Sequence, residues 1–270
     1  MNSNFYIPKG PGFANLVQSI WQVEHAPAFE TEYIIPKGAV EVIFNFSEAA
    51  AIPALLGNTI YNLPKCFING FNTVPIQVQL PKQQFFFGVI LQPLAIKKIF
   101  KHPAGAFADA TIDLGLLDKS FLSLWYQLAE QNNFEGKVTV FLTWIKSYAL
   151  QWQPQEQLVN NFLYAVNGHQ FSVKEVSDHV CYSPRQLSRK IVDATGMNTE
   201  NFLLYKKYLH AVDLVHYTDL SLTSVAYQSG FSDQSHFIKS FKAYTGLTPG
   251  EYQRNKTAVK GHLFKSMKQL

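Results

Sequence analysis

Apolar residues fall at every second position through much of the first ~100 residues and at helical spacing afterwards. In Leu16 to Val23, the residues Val17, Ser19, Trp21 and Val23 share one face of an extended segment. Glu32 to Phe46 contains a Pro36-Lys37-Gly38 turn and then AVEVIFNF, with Val40, Val42, Phe44 and Phe46 on one face. Cys66 to Leu91 is studded with Val, Ile, Phe and Gln and punctuated by Asn69-Gly70, Pro75 and Pro81. Several short strands at such spacing predict an antiparallel sandwich or small barrel. Pro93 then opens a short helix, LAIKKIF. Proline suits a first helical turn, where its missing N–H would be unpaired anyway.

From Asp118 the period becomes helical. Phe121, Leu124, Trp125 and Leu128 form one stripe, and Val138, Phe141, Leu142, Ile145 and Ala149 form another, interrupted at Asn132-Asn133. Gln151 to Gln157 is polar, contains Pro154 and reads as a linker. Residues 1–152 are thus expected to form a β-rich domain with a helical extension over about 118–150, and residues 153–270 an all-α domain. The fold class is α+β with two domains.

Two similar units occupy the second half. Ser221 is a good N-cap for a helix with Leu222, Val225 and Ala226 inside. Gly230 sits where a tight turn needs positive φ, and Phe231 plugs the core. Asp233 or Ser232 caps a second helix with Phe237, Ile238 and Phe241 inside and Ser235, His236 and Lys239 outside. Gly246, Thr248 and Pro249 end it. Upstream, Ser172 to about Phe202 repeats the plan. Val173, Val176 and Val180 make the inner face of a first helix, and Cys181-Tyr182-Ser183 makes the turn and cap. A second helix carries Leu187, Ile191 and Val192 inside and Arg185, Ser188 and Arg189 outside. Leu187 and Phe237, Arg189 and Lys239, Ile191 and Phe241, Gly196 and Gly246, and Phe202 and Tyr252 all stand fifty apart. Phe202 to Tyr217 reads as a long amphipathic helix joining the units. This is a doubled helix-turn-helix. Hydroxyl, imidazole, ammonium and guanidinium groups on an exposed helix suit the major groove, where each base pair shows a distinct donor and acceptor pattern. Two such helices on one DNA face need centres roughly 34 Å apart, or bent DNA.

Charge sharpens this picture. The overall +4 divides into ten Lys/Arg against eleven Asp/Glu up to residue 159, and thirteen against eight from residue 160. A basic second half suits a polyanion. Hydrophobic content of 47% is that of a globular chain. No apolar run approaches the ~18 residues of a membrane span, and MNSNFYIPKGPG lacks the layout of a secretory signal. Cys66 and Cys181, far apart, read as reduced cytosolic thiols, too few for paired CxxC zinc sites.

The segment VAYQSGFSDQSHFIKSFKAYTGLTPGEY, with its GF, SxF, FK and GxTPxxY landmarks, resembles the signature of the AraC/XylS family of bacterial transcription regulators. The resemblance covers the C-terminal ~110 residues. It implies a cytoplasmic, sequence-specific DNA-binding regulator with promoter double-stranded DNA and RNA polymerase as partners and no cofactor or membrane. It also implies that Arg185, Ser188, Arg189, Ser235, His236 and Lys239 approach bases. Cys181 stands where the family usually has Gly, and Thr199 where it often has Pro. A left-handed Cys181 costs about 1 kcal/mol. IIPKGAVEVIFNFSE, NGFNTVPIQV and GVILQP are similar, more weakly, to the cupin-like barrel of sensor domains in that family. That likeness implies a small-molecule effector, a homodimer, or both.

Other chemistry weighs less. Phe85-Phe86-Phe87 is better explained by alternating core and partner contacts than as a pocket lining. Glu24, His25 and Glu41 lack the His-rich strand pattern of a metal site. Cys181 reads as a small buried thiol rather than a redox switch. The 121–128 and 138–149 stripes fit a dimer interface, a cover for the barrel or a dock for the second domain. Neither cysteine has the Pro-Cys-His setting of DNA-repair methyltransferases with a related DNA-binding module, and GxSxG, GxxxxGK[ST], HExxH and GxGxxG are absent from suitable positions. An enzyme is therefore not expected. The remaining rival is a helical protein-interaction scaffold, which a steep salt dependence of DNA binding would separate from a regulator.

Overall fold

The computed structural model describes residues 2–25, 27, 29–48, 52–148, 153–164 and 172–265. Ala149 and the first two residues of the expected linker, 151 and 152, lie outside them. The strands are β1 (Asn2–Tyr6), β2 (Val17–His25), β3 (Thr31–Ile34), β4 (Val40–Asn45), β5 (Ile52–Leu56), β6 (Thr59–Leu63), β7 (Cys66–Asn69), β8 (Ile76–Gln79), β9 (Gln84–Leu91), β10 (Thr111–Asp113) and β11 (His262–Lys265). They make two antiparallel sheets, ordered β1-β2-β9-β4-β7-β10 and β11-β3-β8-β5-β6. The sheets face each other without closing into the expected barrel. The edge of β3 is instead covered by β11, which arrives from the far end of the chain, so that its ladder groups are paired rather than exposed.

Local chemistry explains the strand faces. Val40, Val42 and Phe44 look toward the helices, while Ile43 looks between the sheets. In β2 the expectation of one shared face fails at Val17. A bulge between Val17 and Ser19 shifts the register, so Val17 joins the helix-facing core and Trp21 faces the other sheet. Trp21 pairs with Gly88, and a Cβ on Gly88 would stand 2.1 Å from the indole, so only glycine leaves room for that ring. The hairpin β5–β6 turns at Gly57 with φ 57°.

The helices are α1 (Pro11–Ala14), α2 (Pro93–Phe100), α3 (Leu114–Leu117), α4 (Ser120–Ala129), α5 (Phe134–Ile145), α6 (Pro154–Tyr164), α7 (Val173–Val180), α8 (Pro184–Thr195), α9 (Thr199–Tyr217), α10 (Leu222–Gln228), α11 (Gln234–Thr245) and α12 (Pro249–Asn255). Both apolar stripes are spent inside this chain. Phe121, Leu124, Leu128, Val138, Phe141 and Ile145 are buried, and Phe141 packs on Phe44 and Phe87 of the six-stranded sheet. The stripes therefore cover the sheet.

The main core runs without a break from this sheet into the C-terminal helices. Helix α9 makes the join, and it is buried on more sides than an amphipathic connector would be. Phe202, Tyr205, Tyr208 and Ala211 are fully buried. The Tyr205 hydroxyl accepts from the Gly38 N–H (3.0 Å) and donates to the Asn72 carbonyl (2.8 Å). Tyr208 donates to the Pro36 carbonyl (3.0 Å), and Tyr33 donates to that of Thr245 (2.8 Å). Each hydroxyl thus lets an aromatic ring enter the join without stranding a polar group.

Candidate nucleic-acid interface

Capping fixes where each helix of the first unit starts. Ser172 and Glu175 form a capping box on α7, and Ser183 and Gln186 form one on α8, with Pro184 at its first turn. Between them Cys181 takes φ 55° and ψ 35°, the left-handed region usually left to glycine. Val176 and Val180 of α7 and Leu187, Ile191, Ala194 and Thr195 of α8 are buried. Two expectations are corrected. Val192 is exposed (42%), because the inner stripe runs through 187, 191, 194 and 195 and leaves 192 to the side. Cys181 is exposed rather than a small buried thiol, because the left-handed turn carries it out of the core.

In the second unit, Ser221 caps α10 and Asp233 caps α11 by accepting from the His236 N–H (2.8 Å). These bonds hold the Asp233 carboxyl below the ordinary carboxylate range, chiefly through the His236 N–H and the Ser232 hydroxyl. Gly230 has φ 79°, Phe231 is buried, and Phe237 and Phe241 are fully buried. Gly246 ends α11 in the left-handed region, and Thr248 with Glu251 forms a capping box on α12.

The repeat goes deeper than its sequence landmarks. Helices α8 and α11 have identical length at an offset of fifty. Thr195 and Thr245, both fully buried, each return a hydroxyl to the carbonyl four residues back, at 2.8 Å in both cases. The first helices instead match at forty-nine: Ser172 with Ser221, Val176 with Val225, Tyr182 with Phe231. The turn of the second unit is therefore one residue longer.

Arg185, Ser188 and Arg189 lie on α8, and Ser235, His236 and Lys239 on α11. All are exposed except Ser188, which is half-buried. None of the ion pairs among the described residues engages Arg185, Arg189 or Lys239. His236 rests edge-on against Phe231 (5.4 Å), which steadies its ring at the start of the helix. Gln186 is turned back into its cap, and Gln234 accepts from Thr223 (2.9 Å), so these two neighbours are occupied.

A second feature lies between the sheets. A cavity of about 410 Å³ is walled by Trp21, Ile43, Phe67, Ile76, Val78 and Phe86, among others. Of the three consecutive phenylalanines, Phe87 enters the core, Phe85 packs on Phe46, and Phe86 lines this cavity. His25 and Glu41 also line it, whereas Glu24 is exposed. The signal for Glu41 was present in β4: it alternates with Val40 and Val42 and so must face the other sheet.

Sequence comparisons with known proteins agree with the two helix-turn-helix units. A family described as a helix-turn-helix domain matches residues 176–255, and a domain of unknown function (DUF6597) matches residues 6–113. An uncharacterised HTH-type transcriptional regulator of Staphylococcus aureus (strain MSSA476), SAS0078, is 34% identical over 88 residues, covering 33% of this chain and 12% of that protein. The chain thus spans about an eighth of the length of the first curated relatives it matches. The HTH-type transcriptional activator RhaS of Yersinia pestis (strain Pestoides F) is 27% identical over 148 residues, covering 53% of this chain and 48% of RhaS. The crystal structure of ToxT from Vibrio cholerae O395 superimposes with a TM-score of 0.49 at 12% identity, covering 88% of this chain and 97% of ToxT. Two capped units in tandem, their landmark residues and the match to the helix-turn-helix family lead to one conclusion: residues 176–255 are a helix-turn-helix domain of the AraC/XylS family.

Proposed function

We propose that the chain is a cytoplasmic, non-enzymatic transcription regulator that binds promoter double-stranded DNA through both units. Arg185, Ser188 and Arg189 from α8 and Ser235, His236 and Lys239 from α11 approach the bases. In this reading residues 153–270 bind DNA and contact RNA polymerase. Residues 1–152 sense a small-molecule effector in the cavity between the sheets or support a homodimer. The observation that carries the reading is the pairing of α8 and α11: two helices of one length and one capping plan, each presenting cationic and hydroxyl groups outward.

Genome-wide mapping of DNA bound by the purified protein, followed by titration of a recovered site at several salt concentrations, tests it. Binding should weaken steeply with salt. Arg189→Ala and Lys239→Ala should each cost about 1–3 kcal/mol of specific binding if the side chains meet base edges. Footprints left unchanged by both variants would remove these residues from the interface. A loss spread evenly over all sequences would place them on phosphates instead.

A further inference from the structure

The cavity between the sheets is completed by a segment that follows the DNA-binding-type units. Val259, His262 and Phe264 line it beside residues of the N-terminal sheets. The strand β11 reaches it by a tied route. The Gly261 N–H donates to the Tyr252 hydroxyl of α12 (3.1 Å), and the Gly261 carbonyl accepts from the Ile35 N–H (2.9 Å). Lys256 donates to the His216 carbonyl at the end of α9 (2.8 Å). His262 Nδ1 then meets Glu32 at 2.7 Å. One short stretch of chain thus holds α9, α12 and the cavity wall together.

The lining also carries a chemical preference. Its volume falls in the usual range of small-molecule sites, roughly 300–1,000 Å³. Gln22 is only 7% exposed, and its Oε1 has no hydrogen-bond partner, as is true of Asn72 Oδ1 and His25 Nδ1. All three residues line the cavity. The Gln22 and Asn72 oxygens are acceptors, and buried acceptors without partners are costly unless a ligand or water supplies donors. The charged groups leave an anion no free partner. Glu41 is buried and paired with Lys37 (2.8 Å), and Glu32 is paired with His262. Lys37 is therefore engaged and both carboxylates already have partners, so these lining groups offer no free charge to an ionic ligand.

We propose that this cavity takes a largely apolar, uncharged small molecule carrying hydrogen-bond donors, and that β11 is the wall that closes over it. The proposal rests on the sensing role given above to residues 1–152. Because β11 is anchored to α9 and α12, an occupied cavity holds the N-terminal sheets and the second helix-turn-helix unit in one arrangement.

The test uses the full chain and two dyes of one skeleton. N-phenyl-1-naphthylamine is uncharged with one N–H donor, and 8-anilinonaphthalene-1-sulfonate adds a sulfonate. The uncharged dye should bind once per chain and about tenfold tighter than the sulfonate. Val78→Phe, which fills the cavity, and Phe264→Ala, which opens the β11 wall, should each weaken it by about tenfold. In the unaltered chain, bound N-phenyl-1-naphthylamine should slow amide hydrogen exchange at 31–34 and 262–265. That measurement stands even where a variant folds poorly. Equal or tighter binding of the sulfonate overturns the ligand class. Exchange at 262–265 indifferent to the bound dye overturns the role of β11. DNA binding by the dye-free protein is read separately, so failure here leaves the regulator reading standing, and failure there leaves the cavity intact.

Discussion

Gly105 and Gly196 meet where the β-sheet domain touches the first helix-turn-helix unit. A Cβ on Gly105 would stand 2.3 Å from the Val192 carbonyl oxygen and 2.7 Å from the Gly196 nitrogen. A Cβ on Gly196 would stand 2.7 Å from that of Ala108. Gly196 also has φ 78°, so it serves both as the stop of α8 and as a flat contact surface. The 3-10 turn Ala104–Phe107 can seat against α8 only because both positions lack side chains.

Gly105→Ala should therefore cost about 1–3 kcal/mol, since the added methyl meets backbone rather than a movable side chain. Urea denaturation of the two proteins checks this. An unchanged midpoint would show that the contact relaxes freely.

Tyr205 makes the complementary point with hydrogen bonds. Its hydroxyl satisfies the Gly38 N–H and the Asn72 carbonyl across the join. Tyr205→Phe keeps the ring but leaves both groups without that partner, at a cost of about 2–3 kcal/mol. Tyr244, whose ring packs on those of Tyr205 and Tyr208, is the control. Tyr244→Phe should cost less than about 1 kcal/mol, because it removes little beyond the hydroxyl. Thermal melts of the two variants should separate clearly.

Much of this architecture was legible because local rules and tertiary packing agree. Ser183 and Ser221 cap helices as their places in the repeat imply, and Gly230 and Gly246 take the positive φ their places require. What escaped had tertiary causes. The bulge at Val17/Ser19 flips one residue without any change in composition. The burial of α9 on several sides depends on the β-domain, which periodicity within the helix cannot register. Strand β11 pairs with β3 across some 230 residues, and its sequence HLFK carries no sign of that partner. The outward positions on α8 and α11 followed from helical phase. The cavity did not, because its walls come from two sheets and a distant segment.

Cys181 tests whether the less regular turn limits the first unit. At φ 55° its side chain is strained, while its exposure means that little packing is lost on removal. Cys181→Gly should stabilise the protein by up to about 0.5 kcal/mol, the relief of left-handed strain slightly exceeding the added freedom of the unfolded chain. Gly230→Ala at the matching turn should act in the opposite direction by about 1 kcal/mol. Differential scanning calorimetry of both variants gives the two signs together, and a loss of stability in Cys181→Gly would contradict the argument.

Lys206 links stability to pH. It is buried on α9, where its ammonium donates to the Phe162 and Leu163 carbonyls at the end of α6 (3.3 and 3.2 Å). Burial disfavours the charged form and brings its pKa from 10.5 down to about 8. Between about 8 and 10.5 the unfolded chain therefore holds more protons at this site than the folded one. Stability must then rise with pH across that window. The buried hydroxyls of Tyr205 and Tyr208 act oppositely, because burial raises their pKa well above 10.0 and the unfolded chain loses those protons first. The lysine is thus best read between pH 8 and about 9.5, before tyrosines titrate. There the wild type should gain about 1–2 kcal/mol relative to Lys206→Met, which has no amine to titrate. Urea midpoints at half-unit steps of pH measure the difference in slope. Parallel curves for the two proteins would mean that Lys206 stays charged in the fold, held by the carbonyls at the end of α6.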